Sequence, residues 1–309
     1  MVARFKNNHT TQEQLDSQDF KGPKLKVVIY HGELYLLSDD GLVSPKARSI
    51  SDRGMATIHA INRALITTPP GDRARLPNCE FMIFLQDHTT MSEREGSPLP
   101  PSWSYTKKQT TVYENVWLMP DFGFYDWPEI MIGSFTQARH VGKWDQFNKE
   151  TIKNEMRPIS DSCCYKFSAH IAGESWSGSG KYVHLCYSVF ITHQIEWAEI
   201  YHGALVKEGP DQNYVKTKED WSDLEGIIND FLENPKKAKF ITDNAVRMLR
   251  DRYLTPTAEA CYWRKLIKGY GSVSFEPKSF KDDGRTWRGV PFESIALTRK
   301  LQWNPYEFI

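Results

Sequence analysis

Short apolar runs and stretches with helical periodicity alternate along this chain. Residues 79–85, 165–172 and 188–193 are short and rich in apolar side chains, which is typical of strands buried in a sheet. Residues 55–66 and 221–232 place apolar side chains at the spacing of one helix face. Strands that alternate with helices in both halves favour an α/β fold built from two Rossmann-like lobes.

Turn residues and periodicity predict several further elements. Residues 26–30 and 33–36 flank His31-Gly32 and predict a β-hairpin. The serine, proline and charge of residues 91–109 predict a surface loop. Asp52 is the expected N-cap of the helix over residues 55–66, and more helices are expected over residues 144–155, 181–187, 236–249 and 259–270.

An aspartate follows the most apolar of the expected strands. Residues 79–85 predict a central parallel strand covered on both faces, and Asp87 stands just beyond its end. Ligands of open α/β sheets bind beyond the carboxyl ends of the strands, so Asp87 is a candidate catalytic group. The alternative is a carboxylate that caps the next segment or starts a turn.

A segment rich in glycine and serine lies between an expected strand and an expected helix. Such a turn brings backbone N–H groups and hydroxyls close to a ligand, and a helix N-terminus adds about half a positive charge. Gly173, Ser177, Ser179 and Lys181 are therefore candidates for binding a phosphate or diphosphate. The alternative is an ordinary strand-to-helix connection.

Asp121 is followed by a cluster of aromatic residues, Phe122, Phe124 and Trp127, and all four are candidates for binding the acceptor. A surface cluster of this kind suits stacking on an acceptor sugar or gripping a peptide loop. The alternative is a local hydrophobic plug beneath a loop.

Composition narrows the classes of partner. The 309 residues favour two domains, and 39 basic against 39 acidic residues give no net charge, which argues against a nucleic-acid partner. The chain has no run of 18 apolar residues, so no transmembrane helix is expected. The five cysteines lack metal-ligand spacing, and a disulfide such as Cys79–Cys163 is one pairing that the sequence leaves open.

Several short motifs stand in one order along the chain. They are Leu76-Pro77-Asn78-Cys79-Glu80-Phe81, Pro120-Asp121-Phe122, Trp176-Ser177-Gly178, Lys181-Tyr182, Glu196-Trp197, Asn213-Tyr214-Val215 and Cys261-Tyr262-Trp263. Together they resemble glycosyltransferase family 90, which holds the fungal capsule-associated proteins and the Rumi-type protein O-glucosyltransferases and O-xylosyltransferases.

The resemblance implies a GT-B type fold and an inverting transfer of glucose or xylose from a UDP-sugar to a hydroxyl of a glycan or protein. Asp87 falls on the family's proposed general base, and Ser177 and Lys181 would face the diphosphate. Glu196 would bind the ribose diol, or it is an exposed partner of a nearby lysine. Asp39-Asp40 and Asp282-Asp283 fall in expected loops, so no metal is expected.

Two departures from the family pattern leave a second interpretation open. Ser179 stands where Rumi-type members carry an arginine, and the segment between residues 147 and 165 is much shorter than in the family. The donor lobe is therefore expected to be truncated, and a non-catalytic relative that binds sugar nucleotide or glycan is the alternative. A glycoside hydrolase using Asp87 with Asp121 is a third interpretation.

The resemblance and the composition together suggest four regions. These are a tail over residues 1–24, an acceptor and catalytic-base lobe over 25–160, a nucleotide-sugar lobe over 161–272, and a segment over 273–309 that packs back on the first lobe. The family works in the secretory pathway (ER or Golgi lumen), but residues 1–24 lack the apolar core of a signal peptide. The chain is thus either a fragment without its anchor or a protein with different targeting.

Overall fold

The helices and strands are described from a computed structural model, which covers residues 2–6, 9–16, 22–38, 42, 48–87, 98–124, 163–173 and 175–298. In chain order they are α1 (Val2–Phe5), α2 (Gln12–Asp16), β1 (Lys24–Tyr30), β2 (Glu33–Ser38), α3 (Arg48–Ile66), α4 (Pro70–Arg73), β3 (Cys79–Phe84), β4 (Ser102–Ser104), β5 (Lys107–Lys108), β6 (Val116–Leu118), β7 (Phe167–His170), α5 (Gly180–Val183), β8 (Val189–Thr192), β9 (Trp197–Ala198), β10 (Val215–Lys216), α6 (Leu224–Glu233), α7 (Pro235–Ala245), α8 (Pro256–Gly271), β11 (Val290–Pro291) and α9 (Phe292–Thr298). The expected helix over residues 144–155 lies outside the described residues.

The larger sheet has six strands among the described residues, in the order β11-β2-β1-β3-β4-β6. The hairpin β1–β2 is confirmed, and its turn is possible because His31 and Gly32 adopt φ values of 50° and 77°. Strand β3 is central and buried along its whole length, as expected. It was expected to be parallel, but it pairs antiparallel with β1 and parallel with β4.

The prediction of a surface loop over residues 91–109 is wrong for its second half, and residues 91–97 lie outside the described residues. Strands β4 and β5 lie there, and all three residues of β4 are buried. The Trp103 ring stacks on Phe81 with a centroid distance of 3.7 Å. The strand was missed because serines and prolines on either side of Trp103 favour a loop. Burial of the Trp103 ring outweighs that weak preference.

Helices α3 and α8 pack on the larger sheet and bury its apolar side chains. Helix α3 begins at Arg48, so Asp52 lies within the helix and the predicted N-cap is wrong. Helix α6 begins at Leu224, three residues later than the predicted start at Trp221. The φ of Trp221 is 58°, a left-handed value that an α-helix cannot contain.

A smaller, parallel sheet of three strands has the order β10-β8-β7. The strands expected over residues 165–172 and 188–193 are confirmed as β7 and β8. Helix α5 between them is shorter than the predicted helix over residues 181–187. A disulfide joins Cys163 to Cys186, whereas Cys79 is a buried thiol, so the pairing Cys79–Cys163 does not occur.

Helix α7 continues as a π-helix over Val246–Tyr253. There the Leu254 N–H donates to the Leu249 carbonyl, five residues back. Both leucines are buried in one cluster with Tyr182 and Tyr201, beside the smaller sheet.

The C-terminal segment returns to the larger sheet. Strand β11 pairs with β2, and Phe292 at the start of α9 is buried in the main core. The Arg288 guanidinium binds both carboxylate oxygens of the fully buried Glu80, at 2.8 and 3.1 Å. This two-point contact neutralises a carboxylate that would otherwise be costly inside β3.

These observations confirm an α/β fold with a mixed six-stranded sheet. The predicted arrangement of two GT-B lobes stays a prediction. Among the described residues, no helix combines the length and the apolar character needed to cross a membrane.

A buried carboxylate couples α3 to α8. Glu259 on α8 binds Arg63 of α3 at 2.8 Å and accepts a hydrogen bond from the Trp263 indole at 3.2 Å. Burial is the largest influence and, against the Arg63 charge, raises the pKa of Glu259 to about 7. Folding therefore favours the protonated form of this group.

Replacing Glu259 should change the pH dependence of stability. The folded-state pKa of about 7 lies above the ordinary value of 4.5. The contribution of protonated Glu259 to the free energy of unfolding is thus complete below pH 4.5. It is lost as the pH rises through 7, and the loss is on the order of 3 kcal/mol. Urea unfolding from pH 4.5 to 8 should show Glu259→Gln gaining that amount relative to the wild type. The exposed Glu225→Gln should show no such gain, and a pH-independent difference for Glu259→Gln would contradict the assignment.

Candidate functional site

A crevice lies at the carboxyl ends of the three parallel strands. His170 ends β7, Thr192 ends β8 and Lys216 ends β10. The inner part of the crevice is lined by His170, Ser175, Trp176, Ser177, Thr192, Glu196, Glu199 and His202, among others. This edge is where open α/β sheets bind their ligands, so the crevice is the candidate functional site.

The outer part of the crevice shares three lining residues with the inner part, His193, Ile195 and His202. Lys216 and Tyr214 of the β10 region also line it. The Lys216 ammonium hydrogen-bonds the Gln194 side chain at this end. The two parts therefore form one crevice with a lysine at its outer end.

The glycine-rich turn forms one wall of this crevice. A side chain at Gly180 would place its Cβ 2.7 Å from the Tyr201 hydroxyl oxygen and 3.0 Å from Cε1 of His170. Glycine therefore lets α5 approach these two rings. The Gly173 N–H donates to the Trp176 carbonyl at 3.3 Å, which closes the turn.

Two of the predicted donor-site residues line the crevice and the others do not. Ser177 and Glu196 are lining residues. The Ser177 and Ser179 hydroxyls lie 2.9 Å apart. The Glu196 side chain is 67% exposed and pairs with Lys108 at 3.4 Å. The lysine partner that was the alternative for Glu196 is thus present.

Lys181 lies inside the protein, not at a surface. Its side chain is 1% exposed, and its ammonium binds the Asp121 carboxylate at 2.8 Å and the Gly178 carbonyl at 3.2 Å. The Gly123 N–H donates to the same carboxylate oxygen at 2.8 Å. Burial raises the pKa of Asp121, and the Lys181 charge opposes that rise. The charge of Lys181 is thus already compensated within the fold.

The residues predicted to bind the acceptor lie in the interior where they are described. Asp121, Phe122 and Phe124 are all buried. In this position they pack the junction between the two sheets, which corresponds to the hydrophobic plug of the alternative interpretation. Trp127 lies outside the described residues.

Asp87 lies three residues beyond the end of β3, at the edge of the larger sheet. Its side chain is 48% exposed and pairs with Arg53 of α3. The Arg53 guanidinium lies 4.8 Å from the centre of the Phe122 ring. Asp87 is thus an accessible carboxylate, held next to the segment that carries Asp121.

A buried polar cluster that sequence analysis missed lies under the crevice floor. Oε2 of Glu199 accepts from the Tyr201 hydroxyl at 2.9 Å and lies 3.3 Å from Nε2 of His202. The Glu199 N–H donates to Nδ1 of His202 at 3.0 Å, so Nε2 carries the ring proton. Burial keeps the pKa of Tyr201 well above its ordinary value, which leaves its hydroxyl a donor.

Two histidines next to this cluster are neutral. Burial lowers the pKa of His170 to about 4 and that of His184 well below its ordinary value. The rule that ligands gather beyond strand ends, applied to the runs over residues 165–172 and 188–193, would have pointed to His170 and His193. Glu199 and His202 carry no such signal, because β9, which ends just before Glu199, is only two residues long and shows no apolar run.

No group of three or more histidine, cysteine, aspartate or glutamate side chains is placed to hold a metal ion in the part of the chain that the structure describes.

Comparison with known proteins identifies related sequences. Residues 136–285 match the model of glycosyl transferase family 90, and they include β7, β8, β10 and the residues that line the crevice apart from Gln109. This match confirms the resemblance. Asp87 lies upstream of the matched residues.

Two curated relatives are mosquito proteins named O-glucosyltransferase rumi homolog. The Aedes aegypti protein is 30% identical over 156 residues, covering 49% of this chain and 37% of the relative. The Anopheles gambiae protein is 27% identical over 117 residues, covering 37% of this chain and 28% of the relative. The matches thus span 37% and 28% of the relatives' own lengths, and they support a glycosyltransferase.

Loss of one charge of the Lys181–Asp121 pair should destabilise the fold strongly, whereas loss of both charges together should not. Lys181→Met leaves a buried carboxylate alone and should cost about 3–5 kcal/mol of unfolding free energy. Adding Asp121→Asn should recover much of that loss, since no uncompensated charge then remains. Chemical denaturation of both single variants and the double variant measures this coupling. The exposed pair Lys237–Asp230 is the matched control and should give nearly additive effects; additivity at Lys181–Asp121 would contradict the structural role.

Proposed function

With glycosyl transferase family 90 sequence over residues 136–285 as the premise, we propose that the chain is an inverting glycosyltransferase. It moves a sugar, glucose or xylose, from a UDP-sugar to a hydroxyl of a glycan or protein. The names of the curated relatives support glucose as the sugar.

The observation that carries the proposal is the position of the crevice. It opens at the carboxyl ends of β7, β8 and β10, within the residues that match the family. Parallel strands of this kind bind nucleotides at that edge. Its lining combines an aromatic ring, hydroxyls and the buried Glu199 carboxylate with a lysine, which are groups that can bind a nucleotide sugar.

In the proposed reaction Asp87 is the general base. Its carboxylate takes the proton of the acceptor hydroxyl as the oxygen attacks the anomeric carbon. The bond from that carbon to the diphosphate breaks, and UDP leaves with the electron pair. A single displacement inverts the anomeric configuration, and a base of this kind contributes about 10²–10⁴-fold to the rate.

The leaving diphosphate needs positive charge where its own charge develops. Because Lys181 is engaged by Asp121, we assign this task to Lys216 at the outer end of the crevice. Ser177 contributes a hydroxyl from the opposite wall. Gly173, Ser179 and Lys181 then shape the wall without contacting the diphosphate, and no metal ion takes part.

A non-catalytic relative that binds sugar nucleotide or glycan is the second candidate. The compensated charge of Lys181 and the uncharged Ser179 favour it, because both weaken the stabilisation of a leaving diphosphate. A two-carboxylate hydrolase is disfavoured, because Asp121 is buried and paired with Lys181 and does not flank an open groove with Asp87.

The setting that fits the proposal is the lumen of the secretory pathway. The disulfide Cys163–Cys186 favours an oxidising compartment. The partners there would be the UDP-sugar donor and a glycan or protein acceptor.

The proposal can be tested with the full chain. Calorimetry should show saturable binding of UDP and of UDP-glucose or UDP-xylose. UDP release with a panel of oligosaccharides and secreted protein domains should identify an acceptor. Asp87→Asn should then lower transfer by about 10²–10⁴-fold while UDP affinity changes less than about twofold.

Asp72→Asn, at an exposed aspartate of α4, is the matched control and should retain transfer. Nucleotide binding without transfer to any acceptor would favour the non-catalytic candidate. Equal UDP release by the wild type and Asp87→Asn would remove Asp87 from the mechanism.

A further inference from the structure

One carboxylate oxygen in the crevice lacks a hydrogen-bond partner among the residues that the structure describes. Glu199 is 4% exposed and lines the inner crevice. Its Oε2 is used by Tyr201 and His202, whereas its Oε1 has no hydrogen-bond partner among the described residues. A buried acceptor in this state costs free energy unless a ligand or a water molecule donates to it.

A second buried polar atom of the same kind lies in the same part of the crevice. The Ser175 hydroxyl is buried, lines the inner crevice, and also lacks a hydrogen-bond partner in the described structure. A hydroxyl can donate and accept, whereas a carboxylate accepts. The two side chains together offer complementary sites to one polar ligand.

The chemistry of these atoms selects the ligand group. A diphosphate presents acceptors and negative charge, so it cannot donate to Glu199 and is repelled by it. A sugar hydroxyl can donate to Glu199, and a neighbouring hydroxyl can pair with Ser175. The ring of Trp176, in the same lining, offers an apolar face to the carbon side of such a sugar.

We propose that Glu199 and Ser175 form a diol-binding subsite at the inner end of the crevice. The ligand is a vicinal diol of the bound nucleotide sugar, either on its ribose or on its transferred sugar. This inference rests on the proposed function and adds the orientation of the ligand in the crevice. The hydroxyls lie toward Glu199, and the diphosphate lies toward Lys216 at the outer end.

The subsite assigns to Glu199 the task that sequence analysis gave to Glu196. Glu196 is exposed to solvent and already has Lys108 as its partner. A contact with an exposed carboxylate adds little to affinity, because water competes for the carboxylate. A buried carboxylate has no such competition, so a contact with it adds more.

The replacement Glu199→Gln tests the orphan oxygen while preserving the inner contacts. The amide oxygen can still accept from Tyr201 and His202, which places the amide N–H₂ group where Oε1 was. The N–H₂ group of the glutamine would then donate a hydrogen bond at the place where Oε1 of Glu199 accepts one. Ser175→Ala removes the second contact at the smallest change in volume.

Calorimetry with UDP, 2′-deoxy-UDP and UDP-glucose provides the measurement. Glu199→Gln should weaken binding of the natural ligand by about 10- to 100-fold, the fold-change for a hydrogen bond to a charged group. A loss with UDP that disappears with 2′-deoxy-UDP places the ribose in the subsite. A loss confined to UDP-glucose places the transferred sugar there.

Glu196→Gln is the matched control and should bind each ligand within about twofold of the wild type. Thermal unfolding of Glu199→Gln checks that the variant keeps its fold. If a folded Glu199→Gln variant and Ser175→Ala both bind all three ligands as the wild type does, the subsite is overturned while the proposed function stands. If the wild type itself binds none of them, both fall.

Discussion

The buried ion pair between Lys181 and Asp121 sets the geometry on which the rest of the structure depends. Asp121 follows β6 of the larger sheet, and Lys181 lies in α5 at the wall of the crevice. Removing either charge from water is costly, and the cost is recovered where the two meet at short range with added hydrogen bonds. The junction of the two sheets therefore admits little sliding, which fixes the crevice wall relative to the strand ends.

The strands and most helices follow from local sequence, but their partners do not. The apolar run of β3 predicts a strand buried on both faces. The same run does not indicate whether the neighbouring strand is parallel or antiparallel. Trp103 shows the opposite case, since its short strand is defined by stacking on a residue 22 positions earlier in the chain. Such long-range packing leaves no periodic trace in a segment of three residues.

The site was predictable to the extent that strand ends are predictable. Ser177 was predicted from the glycine- and serine-rich turn and Glu196 from the family resemblance, and both line the crevice. Residue type alone was insufficient at Lys181. A lysine after a glycine-rich turn is compatible with phosphate binding, and the sequence does not show that Asp121, 60 residues earlier, binds it instead. Glu199 could not be singled out from the sequence, because its burial and its contact with Tyr201 arise only in the folded chain.

The π-helical turn before Leu254 has a consequence for how this region tolerates length variation. In a regular α-helix, residues five apart point about 140° away from each other, so Leu249 and Leu254 could not share one apolar cluster. The wider turn absorbs one additional residue and returns both to the same side. Loss of a single residue between them would convert the turn to α-geometry and rotate everything downstream, including the entry to α8, by about a quarter of a revolution or more.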